Sequence, residues 1–186
     1  MNQPSKENDP LKPKTTYGII KMLTEQMYEH FSKIYGIDIT ILRLADIYGP
    51  NKNNGFLPQI IKSINDKTIV PVCYNYGNQQ RDMLYVDDAI DAILKSLKNI
   101  KAHGKIINIG MGKLTTFREI INTFCDIAGY KTDIKCLLDK PVGVFSRYCS
   151  MDYVKEHLDW EPKISLEDGL RRVFDEVTLK ELNNDK

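Results

Sequence analysis

The period of the apolar positions changes along the chain, and each change marks an element. Between Thr16 and Tyr35, Ile19, Ile20, Leu23, Met27, Phe31 and Ile34 recur at helical spacing, which predicts an amphipathic helix with that face buried. Gly36, which tolerates a left-handed turn, ends it. The β-branched run over 36–44 is short enough to read as a buried strand. Helix, tight turn and strand in that order are the wiring of an α/β domain. A turn-rich loop follows from Tyr48 to Gly55, and Phe56, Ile60, Ile61 and Ile64 then predict a short helix. Residues 68–73 read as a strand, 74–80 as a turn centred on Gly77 and Asn78, and 81–86 as an extended piece. A helix from Asp87 to Lys98 is expected to turn Ala89, Ile93 and Leu97 inward, and 105–110 forms a further buried strand.

Side-chain caps place the later helices. Thr116-Phe117-Arg118-Glu119 has the spacing of a capping box, in which the Thr hydroxyl accepts from the Glu119 amide. The helix it opens runs through Ile120, Ile121, Phe124 and Ile127 to Gly129. Residues 131–138 suggest another strand and Met151–Leu158 a short helix. Ser165-Leu166-Glu167-Asp168 resembles a second cap before a last helix ending near Leu179, with 180–186 as a frayed tail. Residues 1–16 carry Pro4, Pro10 and Pro13 and few apolar side chains, so they read as a loop or arm.

Composition narrows the class without choosing a function. The 186 residues suit one domain, or one and a half, and 42% hydrophobic with 27% charged residues is the balance of a soluble globular chain. A net charge of +1 gives no reason to expect nucleic acid or an anionic membrane as partner. Cys73, Cys125, Cys136 and Cys149 show no C-x-x-C or C-x-H spacing, so buried or neutral free thiols are expected and no metal site. The polar N-terminus has no apolar signal core and no run approaches a membrane span, so the expected location is cytoplasmic.

Three segments hold candidate chemistry. Tyr17 and Lys21, four residues apart on the first helix, share a face. An ordinary phenol is too weak an acid to serve as a base near neutrality, and a neighbouring ammonium stabilises its phenolate, so the pair is a proton-transfer device. The plainer reading is a half-buried aromatic beside a solvated lysine. Arg43-Leu44-Ala45-Asp46-Ile47-Tyr48-Gly49-Pro50 leaves the end of the predicted strand, where open α/β sheets collect their ligands; the alternative is a strand closed by a Gly-Pro turn. In Gly77-Asn78-Gln79-Gln80-Arg81-Asp82 an arginine follows a glycine turn, where its planar fork can reach phosphate oxygens or pair with Asp82. Asp87 and Asp88 suit a helix N-terminus.

In combination these segments resemble the NAD-dependent epimerase/dehydratase family, the extended short-chain dehydrogenase/reductase group that acts on sugar nucleotides. The similarity rests on Pro13, Tyr17-Gly18, Lys21 and Glu25, then Arg43 and Asp46-Ile47-Tyr48-Gly49-Pro50, then Arg81-Asp82 with Tyr85-Val86-Asp87-Asp88, then Asn108-Ile109-Gly110, then Leu158-Asp159-Trp160-Glu161-Pro162. It spans residues 7 to about 177. The resemblance implies that Tyr17 is the catalytic base, taking a proton from a sugar hydroxyl while hydride passes to NAD, with NADP not excluded. A transient keto-sugar would result, to be epimerised, dehydrated or reduced. Lys21 would hold the nicotinamide ribose and assist Tyr17. Arg81 would grip the pyrophosphate of a nucleoside diphosphate sugar, and Arg147 would be a second nucleotide-contacting arginine. Where the family usually has asparagine this chain has Asp46, and an acid there repels phosphate unless it is paired, protonated or turned away.

The family's Gly-rich dinucleotide turn and its catalytic Ser or Thr are absent from the sequence. The expectation is therefore a C-terminal portion, incomplete as a catalyst alone, completed by an N-terminal half from the same gene or a second chain and homodimeric when complete. The fold class expected is α/β, a partial Rossmann-like fold: the end of a parallel sheet plus a smaller α/β substrate-binding lobe. Residues 17–50 and elements near 84–115 would belong to the cofactor domain, and 51–83 with 116–179 mainly to the substrate lobe. The rival readings are a non-catalytic sugar-nucleotide-binding or assembly subunit, and a reductase on a non-nucleotide substrate.

Overall fold

In the computed structural model, residues 3–51, 56–65, 70–139 and 144–184 are described. The first helix, α1 (Thr16–Tyr35), starts where the Thr15 hydroxyl accepts from the Gly18 amide at 3.1 Å and ends at Gly36, whose φ of 64° is left-handed. The chain then forms β1 (Ile41–Leu44), β2 (Asp46–Tyr48), α2 (Phe56–Asn65), β3 (Val72–Tyr74), β4 (Gln80–Arg81) and β5 (Met83–Tyr85). After α3 (Val86–Lys98) come β6 (Ile106–Ile109), β7 (Thr115–Thr116), α4 (Phe117–Ile127), β8 (Lys135–Leu137), β9 (Ser146–Arg147), α5 (Asp152–Leu158) and α6 (Leu166–Asn184).

Three of the strand pairings are parallel pairs brought together by intervening helices: β1 with β6, β2 with β5 and β3 with β8. The β4 strand lies between β7, antiparallel, and β9, parallel. This is the expected α/β class. The period of two on β5 divides the interior into two clusters. Met83 and Tyr85 join Tyr48, Ile60, Ile121, Phe124 and Leu170 on one side, while Leu84 joins Ala89, Ile107, Val154 and Trp160 on the other.

Both predicted caps form. The Thr116 hydroxyl accepts from the Glu119 amide at 3.0 Å and the Ser165 hydroxyl from the Asp168 amide at 3.1 Å. Two glycines are required by close approach. A Cβ at Gly110 would stand 2.5 Å from Asp82 Oδ2 and 2.7 Å from Cys149 Sγ, and one at Gly169 would collide with the Tyr48 phenol. That phenol is buried, and burial raises its pKa above the ordinary value, with Tyr85, Asp88 and Asp168 adding to the rise.

Several expectations need correction. The face of α1 predicted to be buried is exposed, with Leu23 at 53%, because no described element packs over it. On α3 the inward residues are Asp88, Ala89, Ala92 and Ser96, while Leu97 is 71% exposed and Ile93 lies at the surface. The first strand begins only at Ile41, and α6 continues past Leu179 to Asn184; residues 185–186 of the predicted tail lie outside the described residues. Of the predicted 68–73 strand, 68 and 69 are also outside them, as are 52–55 of the loop. The N-terminal segment is a docked arm: Ser5 pairs with Cys149, Glu7 Oε1 accepts from the Asn108 amide at 2.9 Å, and Arg43 Nη1 donates to the Glu7 carbonyl at 2.9 Å.

Candidate functional site

The strand register assembles the anion-binding candidates. Arg81 on β4 and Arg147 on β9 are direct partners in a parallel pairing, so two guanidiniums stand side by side and repel one another. Asp46, the first residue of β2, meets both. Arg147 Nη2 donates to Asp46 Oδ1 at 2.7 Å, and Arg81 Nε forms an ion pair with Asp46 Oδ2 at 3.3 Å. Burial lowers the Arg81 pKa from its ordinary value, Arg147 lowers it further, and Asp46 opposes both. Arg81 is also fixed by donation to the Gln80 carbonyl at 2.8 Å and by stacking over the Phe117 ring, 5.3 Å from its centroid.

The alternative pair, Arg81 with Asp82, does not form. On the extended chain adjacent side chains point to opposite faces, and Asp82 turns inward. There it accepts from the backbone amides of Met111 at 2.6 Å, Gly112 at 3.2 Å and Cys149 at 3.3 Å. Burial raises the Asp82 pKa and those amides oppose the rise. The bare Gly110 backbone is what lets this carboxylate in. Asp88 caps another turn, accepting from the amides of Lys163 and Ile164, and Asp87 pairs with Arg172 at 3.2 Å.

Three cavities link the candidate residues. Tyr17, Asp46 and Arg147 line one of about 330 Å³. Asp46 also lines a second of about 450 Å³, with Arg81, Cys73, Gln79 and Phe117. Arg147 also lines a third of about 760 Å³, with Gly18, Lys21, Glu25 and Arg43. Tyr17 is 71% exposed, and Lys21 Nζ lies 5.7 Å from its ring centroid, one helical turn away. All five residues singled out in the sequence therefore border this row of cavities, whose volumes are those of small-molecule sites.

Two further contributors lie in segments singled out in the sequence but had no role assigned there. Gln79 is 3% exposed, and its side-chain oxygen has no hydrogen-bond partner among the described residues, although the side chain lines the Arg81 cavity. A ligand donor would satisfy it. Arg43 grips Glu25 through Nε at 3.0 Å and Nη2 at 2.7 Å, tying α1 to β1 and so setting where Tyr17 and Lys21 stand.

The comparisons with known proteins concern the family and the fold. The model of the NAD dependent epimerase/dehydratase family matches residues 1–110. The chain is 30% identical over 169 residues to the UDP-glucuronate 4-epimerase of Thermodesulfobacterium geofontis, covering 90% of this chain and 50% of that protein. It is similar to the solved UDP-glucose 4-epimerase of Thermotoga maritima with UDP-glucose, at a TM-score of 0.86 and 30% identity over 95% of this chain and 58% of that one. A UDP-glucuronic acid 4-epimerase from Bacillus cereus in complex with NAD superposes at a TM-score of 0.83 and 25% identity, covering 94% of this chain and 54% of that one. The chain spans about half the length of the curated relatives it matches.

Proposed function

Because the chain belongs to the NAD-dependent epimerase/dehydratase family, we propose that it is the substrate-holding and proton-transferring part of a sugar-nucleotide epimerase or dehydratase. The observation that carries this reading is the convergence of Tyr17, Asp46 and Arg147 on one cavity that adjoins the Arg81 cavity through Asp46. On this reading a base and an anion-binding cluster stand side by side, as a sugar linked to a diphosphate requires. The relatives named above bind or act on UDP-linked sugars, so a UDP-hexose is the substrate proposed.

In this reading Arg81 and Arg147 hold the diphosphate, with Asp46 displaced from one of them or turned aside. The diphosphate anchors the sugar so that a ring hydroxyl reaches the Tyr17 phenol. Tyr17 accepts the hydroxyl proton at its phenolic oxygen, and Lys21, on the next turn, stands with Nζ 5.7 Å from the Tyr17 ring centroid. NAD, when bound, supplies the hydride acceptor. The residues present fit its nicotinamide ribose end, since Gly18 and Lys21 line the cavity of about 760 Å³. The Gly-rich turn for its pyrophosphate is not in this sequence, so that contact would come from residues beyond it, in the same gene product or a second chain. Residues 17–50 and 84–115 are assigned to the cofactor side and 51–83 with 116–179 to the substrate side. We assign the chain to the cytoplasm and the complete enzyme to a homodimer; no helix among the described residues is long and apolar enough to cross a membrane.

The test joins the chain to a family-type N-terminal half and measures turnover of UDP-hexoses with NAD. Tyr17→Phe is expected to abolish turnover, by at least about 100-fold, while leaving UDP-hexose affinity nearly unchanged. A joined protein that turns over while Tyr17→Phe keeps most of its rate would overturn the assignment. Nucleotide binding without turnover in the wild-type fusion would favour the non-catalytic binding subunit.

A further inference from the structure

β3 and β8 place two thiols in contact, and one of them, Cys73, lines the Arg81 cavity. Cys73 and Cys136 are direct partners in the parallel register, and their sulfurs are 3.4 Å apart. Paired strands lie about 4.8 Å apart, within the roughly 4.4–6.8 Å Cα separation that a disulfide spans. Arg118, on α4, is held by donation from Nε to the Tyr76 carbonyl at 2.9 Å, and its Nη2 donates to Cys136 Sγ at 3.2 Å. A cation fixed against one sulfur of a touching pair is the setting of a reactive thiol rather than of an inert core cysteine.

We propose that Cys73 and Cys136 are a dithiol redox site that closes reversibly to a disulfide across β3 and β8. The two sulfurs have different parts. Cys136 is half-buried and meets the oxidant, whereas Cys73 is 4% exposed and resolves the intermediate. With a small-molecule disulfide as oxidant, Cys136 as thiolate attacks one of its sulfurs, forms a mixed disulfide and expels one small thiolate. Cys73 then attacks Cys136 Sγ, the mixed bond breaks, and the second small thiolate leaves. The protons of the two cysteines end on the two small thiols. Two protein thiols and one small disulfide thus become one protein disulfide and two small thiols, a two-electron exchange. Burial pushes the Cys73 thiol up to about 11, with its hydrogen bond to Cys136 adding to the rise, so it attacks only inside the pair. Burial also raises the Cys125 and Cys149 thiols, and Asp82 raises Cys149 further; the touching sulfurs are those of Cys73 and Cys136.

The experiment incubates the folded chain with oxidised glutathione, alkylates the remaining thiols after unfolding, and maps tryptic peptides without reductant. The expected product joins the Cys73 and Cys136 peptides, lighter by two hydrogens and separated again by dithiothreitol, with Cys125 and Cys149 alkylated. In Cys73→Ser the resolving sulfur is gone, so glutathione is expected to remain attached to Cys136. Four alkylated cysteines, a stable glutathione adduct on wild-type Cys136, or a bond joining any other cysteines would each overturn the proposal. The wild-type map decides by itself if Cys73→Ser does not fold. None of these readouts depends on nucleotide binding or turnover, so the result is independent of the proposed function.

Discussion

Replacing Asp46 with asparagine should strengthen nucleotide binding. The Asp46 carboxylate lies between Arg81 and Arg147, 2.7 Å from one guanidinium and 3.3 Å from the other, in the position the proposed function gives to a phosphate. An incoming diphosphate must compete with it and, once seated, is repelled by it. For charges about 5–6 Å apart, Coulomb's law gives about 3 kcal/mol at an effective dielectric of about 20 and under about 1 kcal/mol in bulk water. The Asp46 side chain is 31% exposed, which places the effect toward the screened end, at about 1–2 kcal/mol. Asp46→Asn should therefore bind UDP roughly 5- to 30-fold more tightly, since about 1.4 kcal/mol is tenfold. The gain should shrink as salt is raised, and uridine, which carries no phosphate, should bind both proteins alike. The same change leaves Arg81 and Arg147 facing one another uncompensated, so the ligand-free variant should unfold about 0.5–1 kcal/mol more easily. Calorimetric titration at two salt concentrations measures the binding effect, and denaturant melts measure the stability effect. Unchanged or weaker UDP binding by Asp46→Asn would refute the competition between carboxylate and phosphate.

Two further perturbations test the frame around the site. Gly169→Ala forces a Cβ into the buried Tyr48 phenol, so it should cost about 1–3 kcal/mol in urea unfolding; an unchanged midpoint would show that Tyr48 is free to move. Asp82 has a folded-state pKa raised from the ordinary 3.8, mainly by burial, so its stabilising share is complete below the unfolded value and is lost as pH rises through the folded value. The unfolding free energy of wild type minus that of Asp82→Asn should fall as pH rises above the unfolded value, and a difference that is flat or grows with pH would contradict the assigned direction.

Local chemistry was well written in the sequence, and tertiary burial was not. The limits of α1 followed from the onset of the apolar period and a left-handed glycine, both short-range signals, and the structure has them where the pattern put them, with the Thr15 hydroxyl as a cap that the apolar pattern does not name. Which face of a helix is covered depends on what packs against it. Small Ala89, Ala92 and Ser96 face inward on α3, where Ala89 and Ala92 share a cluster with Trp160, and the larger Leu97 is left outside. The same division holds at the site. Arg81, Arg147 and Asp46 each stood out by residue type and by motif, yet their joining depends on pairing between β4 and β9 and on a contact across 101 positions of sequence. The arm was underread because its anchors are remote: the Asn108 amide and the Arg43 guanidinium hold Glu7 across the sheet end. The thiol pair was invisible for a related reason, since Cys73 and Cys136 become neighbours only through the β3–β8 register.

The central claim is that Arg81 and Arg147 form the anion-binding end of a nucleotide-sugar site, and UDP titrated into the chain tests it most directly. The wild-type protein should bind UDP saturably, and Arg81→Ala should weaken binding by about 1.5–3 kcal/mol, or roughly 10- to 150-fold, for the loss of a charged hydrogen-bonded contact. Arg147 is the more exposed of the two, so Arg147→Ala should cost less. Equal heats for wild type and Arg81→Ala would contradict it.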